Sequence, residues 1–237
     1  MAGYTRIELL KKIDESISDF KNFYKKPFIN YRGKTLDTGE FYTEVISQYL
    51  IENIELFDNI ETITRESSYQ QGHTGTTTNE ISNRVEERIA MQMYNKREIN
   101  GLGKIIDYQI PLKNKQQDKG LGKIDLLSMK DEELILLELK TPDSTETMLR
   151  CILEGATYQR IVNLEKLKTD FEIFEETKFK SSPLVRFGGS QYKELKENRP
   201  YLIRLMELLE IKPLFYHEEN GIYKIIDDLD KNEGEQL

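Results

Sequence analysis

Residues 122–140 read GKIDLLSMKDEELILLELK, and the fold follows from how this stretch is read. Two short apolar runs, 123–129 and 133–140, flank the polar connection Lys130-Asp131-Glu132. Strand-length apolar runs joined by so short a turn define a β-hairpin. One carboxylate, Asp125, interrupts the first run, and the second ends in Glu138-Leu139-Lys140. A charge inside a strand this apolar needs a partner, because burying it alone is costly. Side chains two apart along a strand share a face, so Glu138 and Lys140 project together. Strand pairing can bring Asp125 beside them. Two carboxylates and a lysine so placed would bind a hard divalent cation and activate a water.

Downstream, Thr141-Pro142-Asp143-Ser144 ends the strand and starts a helix that runs to about residue 167, with a break near Asn163. Ser144 with Thr147, or Asp143 with Glu146, offers its cap. Arg150, Glu154 and Tyr158 stand four apart and line one face of it. A short strand over 183–188, a helix over 195–211 and a terminal hairpin (213–216 and 221–226) follow, turning around Glu219-Asn220-Gly221. The acidic residues 227–237 are expected to fray.

Upstream of the hairpin, IIDYQIPL (105–112) reads as a strand with Asp107 and Gln109 on one face and Ile106, Tyr108 and Ile110 on the other. Pro111 suits a strand end or an edge, and residues 113–119 are a polar connection. Before the strand lies a helix over 80–95, capped by Thr78 or Asn79, with Ile81, Val85, Ile89 and Met93 inward. Glu86 and Glu87 flank that stripe, and one of them can point toward a neighbouring sheet. Residues 61–78 are polar and aperiodic, with Arg65, Tyr69 and His73 as candidate contacts to a phosphate or base. Two amphipathic helices, over 5–24 and 38–57, open the chain, and the acidic residues of the second form a solvated face. The order implies one α/β domain over 1–237 with a mixed sheet and helices on both faces. Within it, 1–60 is an N-terminal helical extension and 78–226 the core.

Composition narrows the function. The 237 residues are 38% hydrophobic and 32% charged, which suits one solvated globular core. A net charge of −8 argues against a general nucleic-acid binder, although 34 Lys and Arg leave room for a local basic surface. No apolar run approaches ~18 residues, and the N-terminal stretch has no apolar signal core, so a cytoplasmic protein without membrane contact is expected. A single cysteine, Cys151, sits in an apolar pattern, and the two histidines, His73 and His217, are far apart. That excludes an internal disulfide and argues against a zinc site of the Cys/His kind. Neither a nucleophile elbow, a GxxxxGK[ST] loop nor a GxGxxG fingerprint occurs.

With Asp125 in GKIDLL, Glu138-Leu139-Lys140 in LLELK, a helix before three strands and a helix and strand after them, the chain resembles the PD-(D/E)XK nuclease superfamily, the restriction endonuclease-like fold. The likeness covers about residues 78–188, and it lacks the family's proline before the first acid, where Ile124 stands. The resemblance implies hydrolysis of phosphodiester bonds in nucleic acid, DNA in preference, with Mg²⁺ or Mn²⁺ as cofactor. Asp125, Glu138 and the Leu139 carbonyl would hold the metal, and Lys140 would position or activate water. Glu86 or Glu87 would supply a further acid from the first helix, and Glu154, Tyr158 or Gln159 would face the site from the later one. Lys123 and Arg150 could contact backbone phosphates, as could Arg65 and His73 from the polar loop. A homodimer is conceivable, since double-strand cutters with one site often pair. The other reading is a non-cleaving nucleic-acid-binding or regulatory protein on the same fold.

Overall fold

The computed structural model describes residues 3–75, 84–114 and 120–226. Among these residues, the α-helices α1 (Arg6–Asp14), α2 (Tyr42–Glu52) and α3 (Val85–Lys96) precede the sheet. The strands β1 (Glu98–Ile99), β2 (Gly103–Pro111), β3 (Lys123–Lys130) and β4 (Glu133–Leu139) follow. Then come α4 (Met148–Ile161), α5 (Leu164–Asp170), β5 (Lys178–Arg186), α6 (Ser190–Lys196), α7 (Pro200–Leu208), β6 (Leu214–Glu219) and β7 (Ile222–Ile226). The protein is α/β, and its described residues form one mixed sheet of seven strands in sequential order. β1 to β4 are antiparallel, β4–β5 and β5–β6 are parallel, and β6–β7 is antiparallel.

The hairpin at the centre forms because its apolar run is buried on both sides. Leu134 and Leu136 enter the core with α1, α2 and α4 to α7, whereas Ile135, Leu137 and Leu139 pack with Ala90, Met93 and Tyr94 of α3. A run with no polar alternation belongs to a strand covered on both faces. Its two-residue turn has both Asp131 (φ 48) and Glu132 (φ 63) left-handed, the tight form that matches strand twist. The outer strands β1 and β7 lie against each other, so the sheet curls nearly into a barrel around α3. Gly101 permits this closure: at φ +94, a Cβ there would come within 2.6 Å of Ile225.

Several boundaries differ from those the sequence suggests. The helix expected over 5–24 ends at Asp14 and continues as a 3₁₀ segment, Ile17–Lys25, whose Asp19 leaves helical geometry. The kink lets Phe20, Phe23 and Tyr24 all reach the core. The second helix spans Tyr42–Glu52 and yields to a 3₁₀ segment, Ile54–Asn59. Thr147, not Ser144 or Asp143, caps α4 by accepting from the Arg150 amide (3.2 Å). The helix expected over 195–211 is two helices, because Pro200 cannot donate inside a helix and disfavours helical geometry at Arg199. Glu44, read as solvated, is buried and accepts from the amides of Tyr201 and Leu202 (3.1 and 2.9 Å), capping α7 from α2. Thr78 and Asn79, expected as caps of α3, lie outside the described residues, as do most of the 113–119 connection and the acidic tail.

Candidate active site

Backbone pairing of β3 with β4 runs from Lys130–Glu133 to Leu126–Leu137 and stops. The next position on β3 is Asp125, and its Oδ2 accepts from the Leu139 amide (2.9 Å), a side-chain bond where the ladder has ended. Gln109 of β2, left-handed at φ 50, donates its side-chain amide to the other oxygen, Oδ1 (2.8 Å). A register shift between Ile105 and Asp107 disrupts the expected alternation of β2. Asp107 pairs with His73 Nδ1 (2.8 Å), and the left-handed backbone at Gln109 lets that residue reach Asp125 instead.

Lys140 is the hub of the cluster. Its ammonium is buried and donates to Glu138 Oε1 (2.8 Å) and to Glu154 Oε2 (2.9 Å). Glu146 Oε2 lies 3.1 Å away, in ion-pair range but not aligned for a hydrogen bond. Glu154 also accepts at Oε1 from the Tyr158 hydroxyl (3.1 Å), which lies 3.3 Å from the Tyr24 hydroxyl. The N-terminal segment thus touches the cluster through two tyrosines. Gly122 makes room for this, since a Cβ on it would stand 1.9 Å from the Tyr158 oxygen.

The charges do not balance. Asp125, Glu138, Glu154, Glu146 and Glu86 surround two cations, Lys140 and Arg150. Burial, reinforced by Glu86 and Glu154, pushes the Asp125 carboxyl up to about 7 despite its two N–H donors and the pull of Lys140. Burial and the neighbouring Asp125 and Glu154 raise Glu138 well above the carboxylate range. Its second oxygen, Oε2, is buried and has no hydrogen-bond partner among the described residues. Glu154 is lowered instead: burial opposes its charge, but Lys140, Arg150 and Tyr158 outweigh it. Lys140 is held above the usual lysine range, because Glu138 and Glu154 overcome burial. An orphaned carboxylate oxygen in a carboxylate-rich pocket is the environment that a hard divalent cation satisfies. Among the described residues, however, no three His, Cys, Asp or Glu side chains are already gathered to hold a metal ion.

The other residues singled out from the sequence divide sharply. Glu86 is raised by burial and interacts with Lys140, Glu146 and Glu154, so it faces the cluster. Glu87 pairs instead with Arg84 (3.3 Å) at the exposed start of α3. Arg150, a candidate phosphate contact, is held within the chain by Glu146 Oε1 (2.6 Å) and the Tyr24 carbonyl (2.9 Å). Arg65 is buried and donates to the carbonyls of Pro111 and Lys113, pinning the polar loop to the end of β2. His73 stacks on Tyr108 (4.1 Å) beside Asp107, apart from the Lys140 hub. Lys123 is exposed two residues before Asp125, and Gln159 is half-buried off the Glu154–Tyr158 face of α4. Gln109, Glu146 and Tyr24 were not singled out as site residues. Gln109 did carry a signal, a polar side chain inside an apolar strand.

Searches against protein-family models, curated proteins and solved structures return no match. Among the described residues, no helix is long and apolar enough to cross a membrane.

Proposed function

We propose that the protein is a divalent-metal-dependent nuclease with a PD-(D/E)XK-like core, acting on DNA in preference to RNA. The observation that carries this reading is the meeting of Asp125, Glu138 and Lys140 where β3 and β4 part, with Glu138 Oε2 buried and, among the described residues, unpartnered. The order α3, β2–β3–β4 antiparallel, α4, then β5 parallel to β4 supports the same reading. Asp125 and Glu138, with the Leu139 carbonyl, would hold Mg²⁺ or Mn²⁺, and Glu86 would add a carboxylate. Bound there, the ion would lower the pKa of a water and neutralise charge on the scissile phosphate.

The chain's own groups have separable roles. Lys140, kept protonated by Glu138 and Glu154, acts as a donor that positions the attacking water or stabilises developing negative charge. Glu154, anchored by Tyr158, sets the ammonium's direction. Gln109 and the Leu139 amide aim the Asp125 carboxylate. A panel of single- and double-stranded DNA and RNA, with Mg²⁺, Mn²⁺ or EDTA, tests the proposal. Metal-dependent cleavage lost in Asp125→Asn is expected; no cleavage of any substrate by the wild type would overturn it. The second reading is a non-cleaving nucleic-acid binder on the same fold, which that negative result would leave standing.

A further inference from the structure

Beside the carboxylate cluster opens a cleft of about 620 Å³ lined by Arg186, Lys193, His217 and Lys224, with Phe187 and Pro142 among its apolar walls. Its volume falls in the range of ligand sites rather than of a flat patch. Among the described residues no Asp or Glu lines it, although the chain carries a net charge of −8. Arg186, Lys193 and Lys224 are exposed, and among the described residues none of the three forms an ion pair. By contrast, Lys140, Arg150, Lys166 and Arg199 are all paired with carboxylates. Unpaired cations gathered in a concavity repel one another, and a bound anion relieves that repulsion.

The cleft is joined to the cluster by the backbone. Arg186 ends β5, two residues past Leu184, whose carbonyl accepts from the Lys140 amide (3.0 Å). Tyr216, the register partner of Arg186 and the neighbour of His217, donates its hydroxyl to the Lys140 carbonyl (2.9 Å). Pro142 follows Lys140 by two residues. Cluster and cleft therefore share the carboxyl ends of the parallel strands β4, β5 and β6.

We infer that this cleft binds a phosphate-bearing nucleotide unit, the three cations meeting phosphate oxygens and Phe187 and Pro142 lying against sugar or base. Resting on the nuclease reading, it holds the strand that the carboxylate cluster cuts. The test is fluorescence anisotropy of a 3′-labelled single-stranded DNA of about ten nucleotides, in EDTA so that nothing is cleaved. Three phosphate contacts give a salt slope near −2, so wild-type affinity should fall about 20-fold from about 50 to about 200 mM salt. The variant Arg186→Gln/Lys193→Gln/Lys224→Gln should bind at least about tenfold more weakly, with a flatter slope and an unchanged melting temperature. Preference for a 5′-phosphorylated strand assigns a strand end, and equal affinity with a 5′-hydroxyl assigns internal phosphates. Displacement by dAMP but not by deoxyadenosine assigns the phosphate itself. No binding by the wild type, undiminished binding by the triple variant, or equal competition by deoxyadenosine overturns the inference. A wild type that binds but never cleaves sinks only the nuclease reading.

Discussion

Two charged regions lie side by side at one end of the sheet and solve opposite problems. Around Lys140 the charges are buried, crowded and anionic, and the lysine is shared among three carboxylates. Around Arg186 they are exposed, cationic and unpaired among the described residues. Burial makes the first region's protonation and stability interdependent, because each carboxylate's charge is set by its neighbours. Solvent decouples the second, where each cation can change with little consequence for folding. The comparison teaches that a strained anionic site and a free cationic cleft need different tests: stability and pH for one, salt and ligand for the other.

The largest effect is expected at Lys140. Lys140→Met keeps the apolar stem but leaves Glu138, Glu154 and Glu146 without their shared cation. Urea denaturation at neutral pH should show a loss of about 3–5 kcal/mol, partly recovered in mild acid as Glu138 takes up a proton more fully. Cleavage should fall at least about a hundredfold. An intact stability would mean that the cluster is solvated and the contrast with the cleft is false.

Asp125→Asn should act oppositely on stability. The folded carboxyl sits at about 7, above its ordinary value of 3.8, so the folded state binds the proton more tightly than the unfolded chain does. The stability this contributes is complete below the ordinary value and is lost as pH rises toward the folded one. Metal-free wild type should therefore weaken from about pH 4 to about pH 7, by at most a few kcal/mol, and Asp125→Asn should not. The amide fits if Gln109 turns its side chain to accept from it. The variant should be the more stable protein above neutrality while losing cleavage, and parallel pH–stability curves would remove Asp125 from the account. Saturating Mn²⁺ should raise the wild-type melting temperature by about 5–10 °C and leave the variant unmoved.

Smaller effects sharpen the boundary between the regions. Gly122→Ala drives a methyl group into the Tyr158 hydroxyl and pushes it off Glu154, at about 1–3 kcal/mol. Adding Tyr158→Phe should recover part of that loss, and strict additivity would argue against the clash. Smallest of all, Arg186→Gln should change folding stability by no more than about 0.5 kcal/mol, measured by thermal melting.

Much of the site was legible because its signal is local. Asp125, Glu138 and Lys140 stand out as charges within apolar strands, and a period of two places the last pair on one face. Glu154 and Tyr158 follow from helical spacing alone. Glu86 and Glu87 could not be separated in this way, because only the docking of α3 decides which glutamate meets Lys140. Arg65 and Arg150 looked available for phosphate, but carbonyls and a carboxylate remote in sequence or one helical turn away had already claimed them. Glu44 had the same fate, its partners lying 157 and 158 residues downstream.

The sequence by itself determined the hairpin, the mixed α/β order and the polar groups that must find partners, since apolar periodicity and buried charge act over a few residues. Tertiary structure alone decided the near-closure of the sheet, the sharing of Lys140 among Glu138, Glu146 and Glu154, and the gathering of Arg186, Lys193 and Lys224 around one cleft. These depend on how strand ends and helices converge, and the free energy of a charge depends on everything within a few ångströms of it, whatever its distance along the chain.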